Sequence, residues 1–238
     1  MSKAPQSDQD LAIPGFHSAL IETQYLPPIE TFARIIGFKR LVIERREHWV
    51  KRSYRNRAMV ASPGGPIRLS IPLQRSKGIP AGYQGEDVRS DRRITGEVEI
   101  AYEENWRKDH WATFEAGYRR SPYFEYYEDS LEPFYQKGYD RLIDFNTDLL
   151  RFFLEILEID IEISFTDRWD RHPSIGVADF RDAIQPKGNG RPDPFYTAPE
   201  YNQVFGDRHG FLPGLSIADM IFNLGPRSGP LIRKAIAR

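Results

Sequence analysis

Five residues able to grip an anion, Lys51, Arg52, Arg55, Asn56 and Arg57, fall within one short stretch, KRSYRNR, directly ahead of an apolar run. A guanidinium fork matches the paired oxygens of a phosphate or carboxylate, and a lysine adds a point charge. Residues 39 to 57 hold Lys39, Arg40, Arg45, Arg46, Lys51, Arg52, Arg55 and Arg57 against only Glu44 and Glu47. The whole chain is nearly neutral, with 33 Lys and Arg against 34 Asp and Glu. A cationic patch in a neutral protein suits one small anion; the global basic field that draws nucleic acid is absent. The competing use of such cations is to guard an exposed edge strand against aggregation. If this stretch is extended, Arg55 and Arg57 share one face and Asn56 takes the other.

Other residues could act on a bound ligand. Gln24 and Tyr25 close an apolar run, residues 18 to 23, that Pro27-Pro28 then cut off. Ligands gather at the carboxyl ends of strands in open α/β sheets, so an amide there can read a sugar or base edge. The alternative is a loop residue satisfying local backbone groups. Trp106 and His110 stand four apart in NWRKDHW and share a helix face. His110 is the candidate general base, because imidazole titrates near neutral pH; otherwise it is a structural histidine among tryptophans. Asn56 is the candidate oxyanion donor. Tyr118 and Tyr123 can stack on a sugar or base, or simply pack helix against helix. Asp179 and Arg181 read as a surface ion pair, with a functional pair in the late loop as the alternative.

Several chemistries drop out. The chain has no cysteine, which excludes disulfides, thiolate catalysis and Cys-ligated zinc. No histidine sits at metal-ligand spacing, so no metal is expected, and no motif names a cofactor. P-loop, dinucleotide and Gly-x-Ser-x-Gly fingerprints are missing. No run of about eighteen apolar residues could span a membrane. The first residues lack the apolar core of a signal peptide, so the cytoplasm is the expected location.

These groups need a scaffold. Residues 1 to 15 read as a mobile tail and 16 to 238 as a single α/β domain. Residues 18 to 23 form a strand. Ile29, Phe32, Ala33 and Ile36 recur at helical spacing up to Gly37, and residues 40 to 44 form a second strand. That β-α-β order predicts parallel neighbours in one sheet. Residues 59 to 61 and 67 to 71 flank Ser62-Pro63-Gly64-Gly65-Pro66 and predict a hairpin. Residues 74 to 95 read as a surface loop able to cover a site. Helices follow: one opened by Asn105, one by Ser121-Pro122, and a long amphipathic one over residues 140 to 158. Residues 161 to 165 form a strand, 173 to 199 a long loop, and 216 to 224 a last short helix. The fold class is α/β: a mostly parallel sheet with a hairpin, packed by helices, with a helical middle segment.

The ordered set of motifs carries a resemblance. Gln24-Tyr25-x-Pro27-Pro28, KRSYRNR, GPIRLSIP, Trp106 and His110, AGYRRSPYFEYY, Gln203 with Phe205, and GFLPGLSIADMIFNLGP together resemble the WbqC-like protein family, over roughly residues 18 to 226. That resemblance implies a role in making bacterial surface polysaccharide of the O-antigen type. Joined to the cations, it implies an enzyme acting on a nucleotide-linked sugar, such as a transferase moving an acyl or aminoacyl group to a sugar amine. A non-catalytic binding module and a nucleotidyl-transfer enzyme are the alternatives. The expected partner is a small anionic ligand, with no nucleic acid; the oligomeric state is left open.

Overall fold

The computed structural model describes residues 8–11, 13–75, 90–186 and 196–236. Strand β1 (Ser18–Glu22) leads through helix α1 (Ile29–Ile35) to β2 (Arg40–Glu44). The two strands pair in parallel, from Ser18 beside Arg40 to Glu22 beside Glu44, as the β-α-β reading requires. Pro28 is extended and caps α1, whose Ile29, Phe32 and Ala33 turn inward. Next come β3 (His48–Val50), the hairpin of β4 (Arg57–Ser62) and β5 (Gly65–Ser70), and β6 (Ser90–Ile94), which pairs antiparallel with β3. Helices α2 (Trp106–Tyr118), α3 (Phe124–Gln136) and α4 (Leu142–Ile156) make the middle segment. Then β7 (Glu162–Phe165) joins the free side of β2, and β8 (Val177–Asp179) joins the free side of β1. The sheet is all parallel in the order β7-β2-β1-β8. Helices α5 (Gly206–His209), α6 (Ile217–Leu224) and α7 (Ser228–Lys234) follow.

All of β1 is buried, as expected of a strand paired on both sides in a parallel sheet. Phe145 of α4 packs against the rings of Tyr25, Trp106, Tyr135 and Tyr139, tying the helical middle to the end of β1. Helix α6 starts where expected, with Ser216 Oγ accepting the Ala218 N–H. Five local readings change. Residues 51 to 56 are turns, so strand alternation does not begin until Arg57. The expected loop of 74 to 95 lies largely at 76 to 89, outside the described residues, and its end is strand β6. The later loop contains β8. Asn105 makes no capping bond, and α3 opens after Tyr123 rather than at Ser121-Pro122. The chain is also held early, since Asp8 forms a two-pronged ion pair with Arg233 at 2.6 and 2.7 Å.

Candidate anion-binding site

The hairpin sets the geometry. Ser62 Oγ donates to the Gly65 carbonyl at 2.7 Å, and Gly65 takes a φ of 108° that a side chain would resist. Counting back from this turn, Arg57 lies opposite Ser70 and Met59 opposite Arg68. Arg57, Arg68 and Ser70 therefore project from one face of the ribbon. Ala58, Val60 and Leu69 bury the other. Arg57 is half-buried, and its Nε is sealed from solvent with no hydrogen-bond partner among the described residues. Burial, and then the charges of Arg68 and Arg52, push its pKa down. Arg52 comes from the turn ahead of β4, and like Arg68 it is exposed. Among the described residues none of the three has a carboxylate partner. Clustered cations without carboxylates favour negative charge, which an anion on this face can supply.

A buried polar chain runs beneath this face. Tyr25 OH lies 2.8 Å from His110 Nδ1 and 2.9 Å from Tyr135 OH. The Ser70 backbone lies near the imidazole. With Nδ1 as the bare nitrogen of the neutral ring, Tyr25 donates to it and Tyr135 donates to Tyr25. Burial lowers the His110 pKa to about 4, against the small opposing effect of Ser70. The same desolvation raises Tyr25 and Tyr135. Trp106 packs its ring 5.2 Å from the imidazole and donates its N–H to the Ala101 carbonyl at 3.0 Å. The fold thus gathers Tyr25, Trp106 and His110, and places Ser70, whose backbone lies near the imidazole, opposite Arg57 in the strand pair.

A model of the WbqC-like protein family matches residues 23–176, a span that holds the hairpin, its arginines and the Tyr25–His110 chain. The chain belongs to the WbqC-like protein family. No curated protein and no solved structure matches it. The match is shorter than the roughly 18 to 226 suggested by the motifs.

Elsewhere in this WbqC-like chain the expected residues take other places. Gln24 is buried; its amide donates to Glu22 Oε1 at 2.8 Å and accepts from Thr31 Oγ1 at 2.7 Å. Arg55 does not share a face with Arg57. It turns inward, fully buried, and forks onto Glu47 at 2.7 and 2.8 Å with Asp182 Oδ1 at 3.1 Å. Lys51 is exposed, and Asn56 Nδ2 donates to the Ile71 carbonyl at 2.9 Å, extending the β4–β5 ladder. Tyr118 OH accepts the Ala61 N–H at 2.8 Å. The Tyr123 ring packs so tightly on Gly225 that a Cβ there would lie 2.5 Å away. His110 is 5% exposed with Nδ1 bonded to Tyr25 OH, which suits a positioning group better than a base that meets substrate.

Asp179 and Arg181 do form an ion pair, with Asp179 exposed and Arg181 mostly covered. The Arg181 side chain is 9% exposed and reaches Asp179 at 2.7 Å and Glu44 at 3.1 Å. With Glu22, Glu47, Asp182 and Arg55 they form a polar network where β1, β2 and β8 end. Desolvation raises the carboxyls of Glu22 and Glu47, while the Arg55 charge opposes it. The sequence reading missed Arg68 and Ser70 on the face they share with Arg57. Strict alternation back from the Pro63–Gly65 turn was the signal that could have found them. Among the described residues no group of three or more His, Asp or Glu is arranged to hold a metal, and no helix is long and apolar enough to cross a membrane.

Proposed function

We propose that this protein binds the diphosphate of a nucleotide-linked sugar on the Arg52–Arg57–Arg68 face, in the synthesis of bacterial surface polysaccharide. One observation carries the reading: half-buried Arg57 stands beside Arg52 and Arg68, and among the described residues none of the three has a carboxylate partner. A diphosphate brings the acceptor oxygens and the negative charge that this face lacks. As an enzyme the protein is a transferase, moving an acyl or aminoacyl group to the sugar amine. Asn56 adjoins Arg57 and keeps one amide hydrogen beyond its bond to Ile71, available to an oxyanion. The sealing of His110 favours a second reading, a binding module that holds the sugar nucleotide without chemistry.

Calorimetric titration with a uridine diphosphate sugar tests the binding. Arg57→Ala should weaken it by about 1.5–3 kcal/mol, roughly 10- to 150-fold. Unchanged affinity in a folded variant would return these cations to guarding an edge. Mass spectrometry of the sugar after incubation with acyl and aminoacyl donors separates the two readings: a mass gain makes the protein a transferase, and its absence makes it a binding module.

A further inference from the structure

We infer that Ser70 and Arg68 are further ligands of the same anion, and that the site is shaped for a phosphoryl group rather than a carboxylate. This rests on the binding reading above. Ser70 lies directly across from Arg57. Side chains so paired stand with Cβ atoms about 4.5–5.5 Å apart, and the diagonal neighbour, here Arg68, remains within reach of a long side chain. The Ser70 hydroxyl has no hydrogen-bond partner among the described residues, so it is available to a ligand. Its backbone is fixed by the ladder to Arg57, and the next residue, Ile71, exchanges two 2.9 Å hydrogen bonds with Asn56. The hydroxyl is therefore presented from a fixed strand end.

The shape of the donor set selects the anion. Arg57 donates from one strand, Ser70 from across the ladder, Arg68 from along it, and Arg52 from the turn. A carboxylate places two oxygens in one plane with a single charge; it can satisfy the Arg57 fork but leaves Ser70 and Arg68 without a partner. A phosphoryl group points its oxygens in three directions and carries more charge, so strand pair and turn can meet it together.

Titration of the full chain with uridine diphosphate and with glucuronate, a sugar acid without phosphate, tests this. Uridine diphosphate should bind at least about 30-fold more tightly. Ser70→Ala and Arg68→Gln should each weaken it about tenfold, and Ser70→Thr, which keeps the hydroxyl, should restore most of the loss. A melting curve for each variant confirms folding. Equal binding of the two probes overturns the inference. So do unchanged affinities in both Ser70→Ala and Arg68→Gln when Arg57→Ala is weakened, a result that leaves the Arg57 site standing. If Arg57→Ala also binds uridine diphosphate unchanged, the binding reading itself fails.

Discussion

Arg55→Ala should lose about 3–5 kcal/mol of folding stability, the usual cost of removing one partner from a buried ion pair. Arg55 is fully buried, and Glu47, Asp182 and Glu22 all lie within its field. Alanine leaves those carboxylates facing one another without a cation. Urea unfolding monitored by circular dichroism measures the loss; a change below about 1 kcal/mol would mean that water reaches the network and screens it. The effect should also depend on pH. Glu22 already sits above the ordinary carboxyl value of 4.5 because of burial, and Arg55 is what pulls it down. Without Arg55 the folded carboxyl holds its proton more strongly than the unfolded one. Stability from that proton is present below the unfolded pKa and is lost as pH rises through the folded pKa. The variant should therefore be less destabilised near pH 5 than near pH 8.

His110 makes the opposite prediction. Its folded pKa is depressed from 6.5 to about 4, so its contribution is present above 6.5 and is lost as pH falls toward 4. Across that window the unfolded chain takes up a proton that the folded imidazole refuses, for a loss of up to about 3 kcal/mol. His110→Gln isolates the effect. A glutamine amide can accept from Tyr25 as Nδ1 does, yet it does not titrate. The variant should lie within about 1 kcal/mol of the parent at pH 7.5, where a lost buried hydrogen bond would cost at least that much. Its stability should fall less steeply between pH 6.5 and 4, where the His110 shift acts. Glu22 and Glu47 titrate in both proteins, so the difference between the two curves reports His110. Parallel curves would show that water already solvates the ring.

The parts of the fold that depend on local pattern were legible. Ser18–Glu22, Arg40–Glu44 and the helix between them follow from apolar runs and proline placement. The hairpin follows from the Pro63–Gly65 turn. Val177–Asp179 was hidden, because three residues in a Pro- and Gly-rich stretch become a strand only when β1 offers them a ladder. The site shows the same division. The cationic richness of KRSYRNR was visible, but the fate of each cation was not. Arg55 and Arg57 differ in that one meets Glu47 and Asp182, separated from it by 8 and 127 residues, and the other does not. Equally, sequence could place His110 on a helix face with Trp106. Only the packing of α2 against β4, and the Tyr25 hydroxyl that meets Nδ1, decide that the ring is buried.

The position of β8 has a consequence for the chain as it leaves the ribosome. Residues Ser18 to Leu20 find their second ladder partner only in Val177–Asp179. The strand is thus made roughly 150 residues before its neighbour, which at synthesis rates of about 5–20 residues per second is roughly 8–30 s. Throughout that interval an apolar strand destined for the centre of the sheet has an open edge, free to pair with any other nascent chain. A translation product that stops short of residue 177 never closes it, so such fragments should partition into insoluble material while the full chain does not.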